Sequence, residues 1–369
     1  MGQRIAFFTP SLGGGGAERV VVTLANYYAT QGYSVDLIMS YCKENYVKEL
    51  HSAVQLHNLR IKRRMLAAAR LAKALRQIRP VALLATLNTF AAVLAQRLAR
   101  IPMRVVLREA NTPSVELRAT HSSPLKRGIS QTAMRWLYPR ADAVIAVSKG
   151  VAQDLLNHVP QLEPKLTVIY NPVIDAEFYA KADAPVEHPW FQSSQPPVIL
   201  GVGRHHPQKG YDTLLRAFAR VRQETSARLV ILGEGPERPN LERLAAELGV
   251  AVDLDLPGFD PNPFRYMKRA GVFVLSSRYE GLPNVLIQAL ACGCPVVSTD
   301  CPSGPSEILD GGRYGVLVPV DDVEAMAQAI VAALKGSNPQ VPEAWLSQFA
   351  VPTVAHQYLE AMLGTAHSL

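Results

Sequence analysis

A chain of 369 residues is longer than one hydrophobic core usually supports, so its length predicts two domains. A hydrophobic content of 48% and a charged content of 19% exclude a disordered or low-complexity chain. The net charge of +7 is unevenly distributed along the chain. Residues 1–175 carry 23 Lys and Arg against 10 Asp and Glu, whereas residues 176–369 carry 15 against 21. This asymmetry indicates that the first half meets an anionic surface.

In the first half, short apolar runs alternate with helical patterns, which is typical of a doubly wound parallel sheet. The predicted strands are Arg4–Thr9, Ser34–Ser40, Val54–Leu59, Val81–Thr86, Arg104–Arg108, Ala143–Val147 and Lys165–Tyr170. Helical patterns lie between most of them, including one near Pro124–Tyr138. We assign residues 1–172 to a first domain and residues 173–196, rich in Pro, Ser and polar residues, to a linker.

The second half repeats the alternation and predicts a second domain over residues 197–345, followed by a terminal segment, 346–369, with a helix near Val351–Leu363. Its predicted strands are Pro197–Gly203, Arg228–Leu232, Asp253–Leu256, Val272–Ser276 and one that opens at Pro295. The fold class is therefore α/β, with two Rossmann-like domains.

Two loops that follow predicted strands differ in what they offer a nucleotide diphosphate. The glycine loop after the first strand has neither the GxGxxG spacing with an acidic residue of a dinucleotide site nor the lysine of a P-loop, and a plain tight turn is the alternative to a binding loop. The loop Arg204–Gly210 follows a strand and offers a guanidinium and the Lys209 ammonium. Together these two cations could neutralise a departing diphosphate; two solvated loop cations are the alternative.

The stretch Tyr279–Asp300 predicts a loop, a helix and a strand in succession. Pro283 suits the first helical position, and Gly293 ends the helix. The free amides and positive dipole of such a helix start favour an anion. Glu280 and Gln288, eight residues apart, could face one side and hold two sets of sugar hydroxyls; an ordinary helix start in a doubly wound sheet is the alternative.

These residues resemble glycosyltransferase family 4, retaining enzymes whose GT-B fold places two Rossmann-like domains on either side of a central cleft. The resemblance covers nearly the whole chain, with GGAER near the start and, in the second half, GVGR, QKGYDTLLRAF, LVILGEGPE, EGLPNVL and GCPVVSTDCPSGPSEIL. It implies that Glu280 holds the transferred sugar and that Gln288, where the family has a second Glu, holds the nucleotide ribose. It also implies that the terminal helix crosses back onto the first domain.

The resemblance implies a donor site and three catalytic residues, Glu280, Arg204 and Lys209. The donor-binding residues would be Gly15, Gly16, Arg204, Lys209, Gly233, Phe259, Glu280, Gly281, Leu282, Asn284 and Gln288. The nucleotide sugar, expected to be a UDP-sugar, is a substrate, so we expect no cofactor and no metal. The acceptor would be a lipid-linked or lipopolysaccharide-type glycan.

The first domain departs from the family after its fifth strand. Where many relatives carry a His, this chain has Ala110. Glu109 and Asn111 could position the acceptor instead, and a structural cap after the strand is the alternative. No general base is assigned, because in a retaining mechanism the departing phosphate can accept the proton.

A basic amphipathic helix is predicted over Arg60–Arg79. Leu71, Ala74, Leu75 and Ile78 form an apolar stripe beside a basic one, and residues 50–108 contain 12 Lys and Arg and no carboxylate. Such a helix suits an anionic membrane surface, and a solvated crossover helix is the alternative. The residues expected to touch the membrane are Arg63, Arg64, Arg70 and Lys73.

The remaining composition bears on location and on other functions. Cys292, Cys294 and Cys301 crowd together without a metal-binding spacing, so we expect buried thiols. No signal peptide or transmembrane run is present, so we expect a cytoplasmic protein at the inner face of the membrane. A UDP-sugar 2-epimerase and a nucleic-acid-binding protein are alternatives. The first would use His and carboxylates in the cleft; the second lacks aromatic residues on the basic helix, so we expect no nucleic acid partner.

Overall fold

The computed structural model describes residues 3–13, 15–41, 46–61, 66–120, 123–192, 195–336 and 340–364. The chain forms two compact units. The first comprises Met1–Val173 and Gln348–Leu369, and the second Ile174–Ser347. Each is built around its own parallel sheet with helices on it, which confirms the predicted α/β class.

The strands of the first unit begin and end close to their predicted bounds. They are β1 (Arg4–Thr9), β2 (Ser34–Met39), β3 (Gln55–Asn58), β4 (Ala82–Thr86), β5 (Arg104–Glu109), β6 (Ala143–Ala146) and β7 (Leu166–Val168). Among the described residues they form one sheet in the order β3-β2-β1-β4-β5-β6-β7. The direction of strand addition reverses between β1 and β4, which makes that point the topological switch of the sheet.

Helices cover both faces of this sheet, as parallel sheets require. They are α1 (Gly16–Thr30), α2 (Ala67–Ile78), α3 (Thr89–Ala99), α4 (Pro113–Thr120), α5 (Pro124–Leu137) and α6 (Lys149–His158). Helix α2 is shorter than the predicted Arg60–Arg79. Helices α4 and α6 were not predicted, although the Ser148 hydroxyl caps α6 by accepting a hydrogen bond from the Val151 amide (3.2 Å).

The second unit begins inside the stretch that we expected to be a linker. Helix α7 (Phe178–Asp183) lies there, and the Phe178 side chain is 1% exposed, with its ring centroid 4.7 Å from that of Phe264. A residue of that size, once buried, ties its segment to the core. Polar composition alone therefore did not reveal that this stretch packs on the second unit.

The sheet of the second unit has its own switch point. Its strands are β8 (Val198–Val202), β9 (Arg228–Leu232), β10 (Leu254–Gly258), β11 (Val272–Leu275), β12 (Val296–Thr299) and β13 (Val316–Val318). Among the described residues their order is β10-β9-β8-β11-β12-β13. The chain runs outward from β8 to β10 and then returns to β11 on the other side of β8, so the switch lies between β8 and β11.

The helices of the second unit pack their apolar residues on this sheet, and Leu214, Leu215 and Phe218 are fully buried in its core. They are α8 (Tyr211–Glu224), α9 (Arg238–Glu247), α10 (Phe264–Met267), α11 (Asn284–Ala291), α12 (Pro305–Ile308), α13 (Val323–Lys335) and α14 (Glu343–Leu346). Within the ranges described, no helix is both long enough and apolar enough to span a bilayer.

The last helix, α15 (Val351–Leu363), is held on the sheet of the first unit by buried hydrogen bonds. Arg108 is 1% exposed. Its guanidinium donates to the Tyr358 hydroxyl (2.9 Å), the Thr86 hydroxyl (3.2 Å) and the side-chain carbonyl oxygen of Asn171 (2.7 Å). The Tyr28 hydroxyl donates to the Ala355 carbonyl (2.6 Å). Because a buried charged donor without a partner is costly, these acceptors fix the place of α15.

We expect Tyr358→Phe to destabilise the protein by about 1–3 kcal/mol, because it leaves a buried Arg108 N–H without its acceptor. Urea unfolding of the variant and the wild type measures the difference. His356→Ala, on the exposed side of the same helix, is the matched control and should change stability by less than about 0.5 kcal/mol. Equal effects of the two substitutions would contradict the role given to the Tyr358 hydroxyl.

Candidate active site

The loops after β8 and β11 meet at the switch point of the second sheet. Both strands end at the same edge, because all strands of this sheet are parallel. In open α/β sheets the crevice outside the carboxyl ends at such a point is the usual ligand site. The sequence places Lys209 in the first of these loops and Glu280 in the second.

Lys209 and Glu280 form an ion pair at this edge. The Lys209 ammonium lies 2.5 Å from Oε1 of Glu280, and the two side chains are 16% and 9% exposed. The same carboxylate oxygen accepts a hydrogen bond from the buried Ser277 hydroxyl (2.7 Å). The Thr299 hydroxyl in turn donates to the Ser277 carbonyl (2.6 Å), which ties the end of β12 to this loop.

The loop that carries Lys209 is fitted closely to the end of β11. Gly210 has a φ of +61°, and a Cβ there would lie 2.1 Å from the Ser276 carbonyl oxygen, so no larger residue fits without moving backbone. The Ser276 hydroxyl donates to the Lys209 carbonyl (2.7 Å), and the Gln208 amide group donates to the Tyr279 carbonyl (2.9 Å). The position of Lys209 is therefore set by backbone contacts as well as by Glu280.

Arg204 begins the same loop and is exposed. The next residue, His205, is 0% exposed and packs edge-on against Tyr211 with 5.7 Å between ring centroids. Burial lowers the pKa of the His205 imidazole. The structure thus makes His205 a neutral core residue and leaves Arg204 as the cation of this loop that solvent reaches.

Helix α11 starts one residue later than predicted, because Pro283, with φ −74° and ψ 99°, is the extended cap residue rather than the first helical one. Gly281 and Leu282 are buried beside it. Asn284 opens the helix, and Gln288 lies one turn on, so that both partly exposed side chains share a face.

Two further residues that were expected at the donor site follow the neighbouring strands. Gly233, after β9, has a φ of +134°, and a Cβ there would lie 2.0 Å from the Gly203 carbonyl oxygen. Its amide donates to the Gly258 carbonyl (2.8 Å), so Gly233 lets two loops approach and its own N–H is already engaged. Phe259, after β10, is 59% exposed and presents its ring at the same edge.

Gly15 and Gly16 belong to the first unit, at the start of α1. The Gly15 amide donates to the Glu18 carboxylate (2.7 Å), and the Ser11 hydroxyl donates to its other oxygen (2.7 Å). Glu18 is 8% exposed. This loop therefore uses one of its amides internally, and the preceding glycine, Gly14, lies outside the described residues.

Glu109 ends β5 at the carboxyl edge of the first sheet. Its Oε1 accepts a hydrogen bond from the Tyr138 hydroxyl (2.5 Å), which also lies 2.9 Å from the Thr89 hydroxyl. Burial raises the pKa of the Glu109 carboxyl to about 8, although the bond from Tyr138 acts in the opposite direction. Asn111 donates weakly to Glu116 (3.4 Å) at the entry to α4.

The residues expected at a membrane are only partly described, because Arg63 and Arg64 lie outside the described residues. Arg70 donates to the Leu59 and Arg60 carbonyls (both 2.8 Å), and Lys73 is exposed. The apolar stripe of α2 is buried in the first unit. It is therefore core, and this helix exposes a basic face alone.

Sequence reasoning missed the residues that hold this site in place. Ser277 and Thr299 position Glu280, and Arg278 joins Asp212 (2.8 Å) to Asp321 (2.9 Å) beneath the loop. The hydrogen bonds that Arg278 donates to both carboxylates raise the pKa of its guanidinium. The adjacent serines at the end of β11 were the available signal, since hydroxyls at that edge can orient a nearby carboxylate.

Comparison with known proteins identifies the family. Residues 14–177 match the family model Glycosyltransferase Family 4, and residues 196–336 match the model Glycosyl transferases group 1. The N-acetylgalactosamine-N,N'-diacetylbacillosaminyl-diphospho-undecaprenol 4-alpha-N-acetylgalactosaminyltransferase of Campylobacter jejuni is 32% identical over 90% of both chains.

Another Campylobacter jejuni enzyme, GalNAc-alpha-(1->4)-GalNAc-alpha-(1->3)-diNAcBac-PP-undecaprenol alpha-1,4-N-acetyl-D-galactosaminyltransferase, is 26% identical over 91% of this chain and 90% of its own. The crystal structure of Anabaena HepE in complex with UDP and glucose matches 97% of this chain and 98% of that one, with a TM-score of 0.80 and 18% identity. This likeness supports the fold. The chain belongs to glycosyltransferase family 4 and has the GT-B class of fold.

Proposed function

We propose that this chain is a retaining transferase that moves a sugar from a UDP-sugar to a lipid-linked or lipopolysaccharide-type glycan at the inner face of the cytoplasmic membrane. The observation that carries the proposal is the Lys209–Glu280 pair at the switch point of the second sheet. Two relatives are named for diphospho-undecaprenol acceptors, and a structural neighbour was crystallised with UDP and glucose. These names support the acceptor class and the nucleotide.

The cations of the loop after β8 would bind the donor diphosphate. Lys209 is balanced by Glu280. An arriving diphosphate brings further negative charge, so Lys209 can turn to it and Glu280 becomes available to sugar hydroxyls. Arg204, exposed in the same loop, adds a guanidinium. These two cations offset the charge that develops as the diphosphate departs, and no metal is needed for that step.

Retention follows if the acceptor attacks from the side on which the diphosphate leaves. The bond from the anomeric carbon to the phosphate oxygen breaks, and the acceptor oxygen bonds to that carbon. The acceptor proton passes to the departing phosphate oxygen. Glu280 then serves to hold the sugar while charge develops, which is where a fixed carboxylate contributes most.

The acceptor end is assigned to Glu109 and Asn111 of the first unit. Because its pKa is raised to about 8, the Glu109 carboxyl stays largely protonated at neutral pH. One carboxyl oxygen of Glu109 accepts a hydrogen bond from the Tyr138 hydroxyl, so the proton can reside on the other oxygen. That O–H can donate a hydrogen bond to a hydroxyl of the glycan acceptor. Such a neutral donor orients the glycan without placing a charge beside it.

A panel of UDP-, GDP- and ADP-sugars tests the donor and the stereochemistry. We expect UDP and one UDP-sugar to raise the melting temperature, and EDTA to leave transfer unchanged. Proton NMR of the product made on a polyprenyl-diphosphate-linked sugar should show the anomeric configuration of the donor. Stabilisation by GDP alone would contradict the assignment of UDP as the nucleotide. A product with the inverted anomeric configuration would contradict a retaining mechanism.

Substitutions at the ion pair separate catalysis from stability. We expect Lys209→Met and Glu280→Gln each to lower kcat by about a hundredfold, since each removes a charge used in the transition state. Lys209→Met should also lower the melting temperature, because it leaves a buried carboxylate without its cation. The double variant, neutral at both positions, should recover stability and not turnover.

Three other substitutions, one of them a control, calibrate that result. Gln288→Ala should raise KM a few-fold with kcat nearly unchanged, as expected for a group that binds ribose in both the ground state and the transition state. Arg204→Ala should lower kcat, whereas Arg220→Ala, at an exposed position of α8, should not. Near-normal kcat in the Lys209→Met/Glu280→Gln double variant would show that neither Lys209 nor Glu280 takes part in the reaction.

The raised pKa of Glu109 predicts a pH dependence of stability. Between about pH 4.5 and 8 the folded protein keeps a proton on Glu109 that the unfolded chain has released, so stability falls as pH rises through this window. The slope is at most about 1.4 kcal/mol per pH unit for one proton. Glu109→Gln, uncharged throughout, should flatten this decline in melting temperature.

Glu177→Gln is the control for the pH series. Lys181 lowers the pKa of the Glu177 carboxyl, so that carboxyl is ionised across the same window. Its substitution should leave the slope as in the wild type. Parallel slopes for the wild type and Glu109→Gln would show that Glu109 is ionised in the folded protein and does not donate to the acceptor.

A further inference from the structure

Helix α5 exposes an apolar stripe instead of burying it. Leu125, Ile129 and Trp136 are 75%, 62% and 51% exposed. At 100° per residue these three positions fall on one face of the helix. Met134 and Leu137, on the opposite side, are buried and attach α5 to the first unit. Small residues between the three large ones leave a shallow apolar groove along this face.

Positive charge borders the stripe on both sides. Lys126 and Arg135 fall to either side of it by the same helical geometry, and both are exposed. The Arg140 guanidinium lies 3.8 Å from the centroid of the Trp136 ring, and that of Arg97 lies 5.8 Å from it. Residues 117–141 contain no Asp or Glu. The stripe is therefore an apolar strip with a cationic border.

The neighbouring helices extend this surface. Helix α3 contacts both α5 and α2. It exposes Leu94 (38%) and Leu98 (48%) on one face with Arg97 beside them, and α2 exposes Arg70 and Lys73. The chain from residue 50 to residue 108, which contains α2 and α3, also lacks a carboxylate. The three helices thus offer apolar side chains and a single sign of charge.

We propose that this α2–α3–α5 surface docks on an anionic lipid bilayer, with Leu125, Ile129 and Trp136 entering the boundary between headgroups and acyl chains. Lys126 and Arg135 would then meet lipid phosphates, while their methylene stems cover the edge of the strip. The inference rests on the proposed function, since a lipid-linked acceptor keeps its enzyme at a bilayer. It assigns to α5 the insertion that sequence reasoning gave to α2, whose apolar residues are buried.

Charge and shape favour a bilayer over other occupants. A second copy of this chain would bring the same positive sign to the same face, which opposes association. A nucleic acid would meet the cations but would leave three large apolar side chains in water. An anionic bilayer satisfies both parts at once, because it offers phosphates at its surface and hydrocarbon just beneath.

Co-sedimentation with vesicles tests the proposal. Vesicles of phosphatidylglycerol and phosphatidylcholine should bind the full chain, and pure phosphatidylcholine vesicles should bind it about tenfold less. The variant Leu125→Ser/Ile129→Ser/Trp136→Ser should lose about tenfold or more in partition into the anionic vesicles. Arg70→Gln/Lys73→Gln should weaken binding mainly at low salt. Val252→Ser, 84% exposed in the second unit, is the matched control and should bind as the wild type.

Tryptophan emission locates the insertion. Anionic vesicles should shift the emission of the wild type to the blue and should not shift that of Trp136→Phe, which keeps an apolar ring and still sediments. Wild type that stays in the supernatant, or a triple-serine variant that binds like Val252→Ser, would overturn the proposal. A wild-type dimer that the triple-serine variant converts to monomer would make this face a contact between copies.

The outcome is separable from that of the proposed reaction. UDP should raise the melting temperature of the triple-serine variant as it does that of the wild type, because none of the three substituted residues is assigned to the donor site. Loss of vesicle binding with UDP stabilisation intact would support docking through α5. Vesicle binding by a protein that UDP does not stabilise would uphold the docking surface and count against the proposed donor.

Discussion

The ion pair between Lys209 and Glu280 is the constraint on which the second unit depends most at its functional edge. Two opposite charges that are nearly buried stabilise each other only if both are held in place, since an unpaired one is costly in that setting. The adjacent strands β8 and β11 supply that control. Gly210 lets the first loop touch the backbone of the second, and Ser277 fixes the carboxylate from behind.

The same arrangement explains why the pair suits a reaction as well as a fold. A carboxylate that neutralises the lysine keeps the nearly buried cation from destabilising the fold. In the proposed reaction the donor diphosphate would replace the carboxylate as the partner of the lysine. That exchange would need little reorganisation, because the loop backbones are set by their own hydrogen bonds.

In the first unit, the buried side chains of Arg108 and Glu109 have neutral partners instead. The charge of Arg108 is met by a hydroxyl, a side-chain carbonyl and a phenol. Glu109 accepts a hydrogen bond from the Tyr138 phenol, and burial favours the protonated form of its carboxyl. These two residues are neighbours in the sequence and have different partners. Arg108 helps to hold α15, and Glu109 lies at the carboxyl edge of the sheet. A strand that is buried along its length can therefore serve packing and a site through adjacent residues.

The sequence predicted the alternation of strands and helices well, because apolar runs such as Arg4–Thr9 and Arg228–Leu232 are continuous and end at glycine or proline signals. The family was predicted from loop motifs such as EGLPNVL. The sequence did not predict that Ser277 and Thr299 support Glu280, since their contact joins two loops across the sheet edge. Nor did it reveal α7, because the single buried Phe178 outweighs a polar neighbourhood.

Helices α2 and α5 show the limit of periodicity most directly. Both carry an apolar stripe with basic residues beside it, and the sequence alone does not say which stripe faces the core. In α2 the apolar residues, Leu71 and Leu75 among them, are buried, and cations are left outside. In α5 only Met134 and Leu137 are buried, and the larger apolar residues face outward. Amphipathicity thus establishes that a helix has two faces, whereas burial decides which of them remains for a partner.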